Sequence, residues 1–88
     1  MAHVLVMYDI TNDRVRGKIA DACLDYGLDR IQFSAFYGKL GRNHWEELML
    51  KMMMLLGDKA GKIELIPVSE PSWAQRLSIC QEDEDAGE

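Results

Sequence analysis

The sequence predicts an α+β fold of the ferredoxin-like kind, ordered β-α-β-β-α-β with a short extra strand at the C-terminal end. Three observations carry that expectation. Residues 3–10 are almost continuously apolar and β-prone; residues 12–26 and 42–57 repeat apolar side chains at helical spacing; residues 29–40 alternate with period two. Two helices would then cover one face of an antiparallel sheet.

Residues 3–10, His-Val-Leu-Val-Met-Tyr-Asp-Ile, suit a central strand buried on both faces, and Asp9 is its one charge. Thr11, Asn12 and Asp13 follow as helix N-cap candidates. Val15, Ile19, Ala22, Cys23 and Tyr26 then form one apolar stripe, while Arg14, Arg16, Lys18, Asp21 and Asp25 occupy the other side. Gly27 tolerates the left-handed conformation that ends helices, so this helix is expected over 12–26.

In residues 29–40, Ile31, Phe33, Ala35 and Tyr37 fall on one face and Arg30, Gln32, Ser34 and Phe36 on the other. Gly38 allows a bulge or tight turn, so two strands are expected here. Arg42 and Asn43 open a second helix with apolar Trp45, Leu48, Met49, Met52, Leu55 and Leu56, stopped by Gly57. Lys62–Val68 reads as the last main strand, with Pro67 pushing it towards an edge. Arg76–Cys80 supplies the extra strand, with Leu77–Cys80 able to pair with the exposed edge of a second copy.

The chain has 88 residues, 10 Lys+Arg and 15 Asp+Glu, for a net charge of −5. Five of those acids (Glu82, Asp83, Glu84, Asp85 and Glu88) stand at the C-terminal end, leaving residues 1–81 with ten basic and ten acidic groups. Residues 1–81 are therefore expected as one neutral domain and residues 82–88 as a disordered acidic tail. The negative total does not argue against nucleic acid once the tail is set apart. A chain of this size buries only roughly 60% of its unfolded surface, and the uncovered sheet face carries Leu5 and Met7, so a homodimer is expected. Cys23 and Cys80 form neither a disulfide framework nor a zinc motif, and no apolar run approaches the roughly 20 residues of a membrane span. No basic segment followed by an apolar core opens the chain, and a reduced, cytoplasmic, membrane-free protein is the expectation.

Tyr8-Asp9 at the end of the first strand is the sharpest chemical feature. A carboxylate among apolar neighbours costs free energy without a partner or a metal. Two roles are open to Asp9: capping the following helix, or holding a cation. Arg16, Lys18 and Arg30 nearby, with Phe36 as an exposed aromatic, suit joint binding of Mg²⁺ and a phosphodiester. One Asp9 from each subunit across a two-fold axis would complete such a site, and the metal would activate water for hydrolysis. His3 and His44 lack ligand spacing; Met49, Met52, Met53 and Met54 read as fillers of core and interface gaps; Trp45 and Trp73 read as packing anchors.

These residues resemble a family. Val6-Met7-Tyr8-Asp9-Ile10, Arg14-Val15-Arg16-Gly17-Lys18, residues 27–36 and Gly38-Lys39-Leu40 look like the second CRISPR-associated core protein, the small partner in spacer acquisition. The likeness runs through residues 3–80. It implies a ferredoxin-like homodimer, a paired-aspartate Mg²⁺ site, endonuclease activity on RNA or DNA, and a role bridging the integrase subunit and clamping double-stranded DNA. By position it implies Tyr8 and Asp9 as catalytic, Asp9 as metal ligand, and Arg16, Lys18, Arg30 and Phe36 as nucleic-acid contacts; Arg14 is expected as a further nucleic-acid-binding base close to that site. Lys18 stands where many members have arginine, which keeps the charge but loses the bidentate fork. Ala35 replaces the usual, larger valine. A non-catalytic DNA-binding subunit and a toxin-type ribonuclease of the same fold are the alternatives.

Overall fold

The computed structural model describes residues 2–81, so the acidic segment 82–88 lies outside the described residues. In chain order the elements are β1 (Ala2–Ile10), α1 (Asp13–Asp25), β2 (Asp29–Gln32), β3 (Ala35–Leu40), α2 (Arg42–Leu56), β4 (Gly61–Val68) and α3 (Glu70–Ala74). All strand pairs are antiparallel and the sheet order is β2-β3-β1-β4, with α1 and α2 on one face, the expected ferredoxin-like arrangement. β4 is an edge strand, which accommodates Pro67 without a ladder donor.

Strand alternation divides β1 cleanly. Val4, Val6, Tyr8 and Ile10 are buried under the helices in one core with Val15, Ile19, Cys23, Phe36, Leu48 and Met52. Leu5, Met7 and Asp9 face the other way, towards the uncovered side. α1 starts where Asn12 accepts a hydrogen bond from the Val15 N–H at 3.0 Å. It ends in a Schellman pattern: Gly27 takes φ 83°, its N–H bonds to the Leu24 carbonyl, and the Leu28 N–H bonds to the Cys23 carbonyl.

The second and third strands depart from the expected pattern in one informative way. The hairpin turn is at Phe33-Ser34, between the paired Gln32 and Ala35, not at Gly38. Gly38 lies inside β3 for a packing reason: a Cβ there would stand 2.9 Å from Leu28 Cδ2. A register irregularity between Arg30 and Gln32 places Arg30 opposite Phe36, so one residue of β2 is unmatched. Arg30 and Phe36 therefore share a face as expected, but Gln32 and Ser34 do not join them in an unbroken strand.

The C-terminal strand expected at Leu77–Cys80 is not formed. Residues 76–80 have no strand pairing within the chain, and Leu77 and Ile79 are 98% and 92% exposed. β2 and β4 both offer a free edge, and residues 76–80 pair with neither. The chain instead builds α3, capped by Ser69, whose hydroxyl accepts from the Ser72 N–H. α3 lays Trp73 on Tyr37 with ring centroids 3.5 Å apart, and Tyr37 stacks in turn on His3. Trp73 is thus a packing anchor on the uncovered face. Of the four methionines read as gap fillers in α2, Met52 is fully buried, while Met53 and Met54 are exposed. No helix among the described residues is long and apolar enough to cross a membrane.

Candidate nucleic-acid and metal site

The ends of β1, the start of α1 and the β2–β3 hairpin meet at one corner of the sheet. The Tyr8 N–H donates to the Ser34 carbonyl at 3.1 Å, which ties the hairpin tip to β1. Arg16 donates from Nη1 to the Ile10 carbonyl at 2.9 Å and pairs with Asp13, so its guanidinium is fixed beside the same strand end. Arg16 and Arg30 both approach Phe33, at 5.3 and 5.6 Å from its ring centroid, and Arg30 also lies 5.1 Å from the Phe36 ring. The corner thus gathers two guanidinium groups near the Phe33 ring.

Asp9 does not cap α1. Asn12 does that work, which leaves the carboxylate for another role. Nor is Asp9 buried: it is exposed on the uncovered face, so the desolvation cost expected for it does not arise. It borders a recess of about 230 Å³ lined by Met7, Tyr8, Asp9, Lys62 and Glu64. Lys62 is its cross-strand partner, yet Lys62 Nζ pairs instead with Glu64 Oε1 at 2.9 Å. That contact raises the Lys62 pKa above its usual value, chiefly through the hydrogen bond to Glu64. Asp9 itself makes no hydrogen bond or ion pair among the described residues.

Tyr8 and Asp9 are neighbours in sequence on opposite faces of the sheet. The Tyr8 ring is buried beneath the helices and stacks on Phe36 at 6.3 Å. Its hydroxyl is buried without a hydrogen-bond partner among the described residues. Burial raises the phenol's pKa, and Arg30, close by without bonding geometry to the oxygen, pulls it back in part. At neutral pH the group is a protonated phenol.

Phe36, expected as an exposed contact for nucleic acid, is fully buried and belongs to the core. Its alternation with Ser34 runs through the turn, where period two no longer applies. The exposed aromatic of this corner is Phe33, 68% accessible. The cue in the sequence was its place at the centre of a hairpin. Lys62 and Glu64 were also not foreseen as lining residues; only the pairing of β1 with β4 reveals them. Arg14 and Lys18 are exposed on α1, one turn apart, beside the half-buried Arg16.

Comparison with known proteins fits this architecture. The sequence matches the family described as CRISPR associated protein Cas2 over residues 1–76. The chain belongs to the Cas2 family. It is 43% identical over 82 residues to a Chloroflexus aurantiacus protein named CRISPR-associated endoribonuclease Cas2 2, covering 93% of this chain and 96% of that one. Among solved structures, Cas2 from Streptococcus pyogenes superposes with a TM-score of 0.75 at 21% identity, covering 90% of this chain and 99% of that chain. A chain of a structure titled a partial Cas6-RT-Cas1–Cas2 complex gives 0.74 at 20% identity, covering 90% and 91%. At those identities the structures speak for the fold alone, and the Cas2 fold is shared across the described sheet and helices.

The fit of a metal ion can be judged on the donor set. No group of three His, Cys, Asp or Glu side chains converges among the described residues. Mg²⁺ asks for less, since it commonly takes one or two carboxylates and retains several waters. Asp9, exposed at a recess and without a cation on it, fits that requirement as one such ligand.

Proposed function

We propose that this Cas2-family protein acts in CRISPR adaptation and cleaves phosphodiester bonds in RNA or DNA with Mg²⁺ at Asp9. The carrying observation is an exposed carboxylate without a protein partner on the strand end whose Ile10 carbonyl fixes the Arg16 guanidinium. A bound Mg²⁺ would lower the pKa of its water and stabilise charge building on the phosphate. Asp9 holds the cation; Arg16, Arg30, Arg14 and Lys18 draw in the backbone of the nucleic acid. Glu64 keeps the Lys62 ammonium engaged, which leaves the Asp9 carboxylate available. Tyr8 acts from the covered face by stacking its ring on Phe36, over which Arg30 lies.

A second copy of the chain completes this reading. Leu5, Met7 and Ile66 share the uncovered face with Asp9, and a homodimer burying that face would bring a second Asp9 to the site. The name of the Chloroflexus relative supports nuclease activity, and the titled Cas1-containing assembly supports an integrase subunit as partner. Free Cys23 and Cys80 agree with a reduced, cytoplasmic setting.

A second reading, a non-catalytic subunit that binds double-stranded DNA within the integration complex, is favoured because no three His, Cys, Asp or Glu side chains converge among the described residues. Family membership leaves the toxin-type alternative without support. The Asp9→Ala protein separates the two readings: cleavage of RNA and DNA is compared with the parent in Mg²⁺ and in chelator, alongside assembly with the integrase subunit. Loss of cleavage with intact assembly supports the nuclease. Undiminished cleavage sinks it.

A further inference from the structure

We infer that Phe33, at the tip of the β2–β3 hairpin, is a stacking platform for an unpaired base of a single-stranded nucleic acid. The inference rests on the nucleic-acid reading above and names the side chain that would meet a base. Phe33 is 68% exposed, although a turn offers it no role in the core. A large aromatic ring in solvent at a two-residue turn is unfavourable for the isolated chain.

Its surroundings narrow what would cover it. Arg16 and Arg30 approach the ring at 5.3 and 5.6 Å. An apolar protein partner burying Phe33 would have to strip water from both guanidinium groups, which is costly without anionic partners. A nucleic-acid strand presents the opposite pattern, with flat apolar bases alternating with anionic phosphates along one chain. A base can cover the ring while its flanking phosphates meet the two arginines. In a duplex the base faces are already stacked on one another, so only unpaired nucleotides can give a face to the ring without a cost in unstacking.

The tip is also held ready for such contact. The Ser34 carbonyl is bonded to the Tyr8 N–H, and Arg16 is fixed by the Ile10 carbonyl and Asp13. Little order remains to be imposed when a strand binds. The same bonds tie the platform to the end of the strand that carries Asp9 on its other face.

Fluorescence anisotropy with a labelled single-stranded RNA and with its fully paired duplex, in chelator so that nothing is cut, tests this. Phe33→Ala should weaken single-strand binding about 5- to 150-fold, the range for loss of one stacked base, and leave duplex binding within about twofold. Phe33→Trp should retain single-strand affinity, and its emission above the Trp45 and Trp73 background should be quenched by the single strand. An oligonucleotide with abasic sites should erase the difference between the parent and Phe33→Ala. Equal single-strand affinity in the two proteins overturns the proposal and assigns the exposed ring to a protein contact. Equal losses for single strand and duplex overturn it as well. In both cases the nucleic-acid reading survives if Arg16→Ala still weakens binding; if the parent binds neither strand form, both fall together.

Discussion

The two faces of the sheet follow opposite rules. Beneath the helices, Val4, Val6, Tyr8 and Ile10 are almost wholly withdrawn from water, and even the Tyr8 hydroxyl has no bonding partner. On the uncovered side, Leu5, Met7 and Asp9 alternate with them and remain partly or largely accessible. One strand therefore builds the core with its even residues and presents odd ones, Asp9 among them, to the proposed site. Substitutions on the two faces should separate cleanly into those that unfold the protein and those that silence it.

Phe36→Ala is the harshest way to test that separation. Truncating a fully buried phenylalanine costs about 3–5 kcal/mol, a large part of the 5–15 kcal/mol typical of a whole domain. Chemical denaturation should show most of the cooperative transition lost, and any remaining nucleic-acid binding should fall with it. Asp9→Asn, one strand pair and one face away from that core, should leave stability within about 0.5 kcal/mol. Cleavage in Mg²⁺ should nevertheless fall about 100-fold or more, as several kcal/mol of charge stabilisation are removed. A comparable loss of stability in both variants would break the comparison.

Trp73→Ala examines the one large side chain that shelters part of the uncovered face. Loss of its stack on Tyr37 should lower stability by about 1 kcal/mol, read as a modest fall in Tm, without touching metal-dependent cleavage. A smaller effect is expected from Tyr8→Phe. The ring and its packing stay, and the hydroxyl leaves no partner behind, so stability should shift by no more than about 0.5 kcal/mol in either direction. Retained cleavage in Tyr8→Phe would confine Tyr8 to a supporting role; lost cleavage would give the phenol a direct one.

Alkaline pH probes the covered face without any substitution. Burial pushes the Cys23 thiol from 9.0 up to about 12, so the unfolded chain releases that proton first as pH rises. The stabilisation is complete below the unfolded value of about 9 and is lost as pH climbs towards 12. Urea titrations across that window should show stability falling, and Cys23→Ala should flatten the fall by up to about 1.4 kcal/mol per pH unit.

Most of the fold was legible because its signals are local. The apolar stripe of α1, the stops at Gly27 and Gly57 and the apolar run of β1 all act over a few residues, and β1, α1 and α2 lie within two residues of their expected bounds. Asp9 and the arginines could be singled out by type and spacing. The environment of Asp9 could not, since Lys62 and Glu64 come from a strand more than fifty residues away. Phe36 was placed in solvent because alternation was carried through a turn. α3 was hidden because five residues are too few to show helical periodicity, and its Trp73 is fixed by stacking on a distant Tyr37.

The unmatched residue in β2 has a further consequence. With regular pairing back from the hairpin, Arg30 would stand opposite Tyr37 and face the uncovered side, away from Tyr8 and Phe36. The surplus residue turns the guanidinium over to the other side of the sheet. Two chains of identical composition, differing only in whether that residue sits before or after the turn, would present the same cation to different halves of the molecule. For this corner, alignment gaps in β2 are as informative as the letters around them.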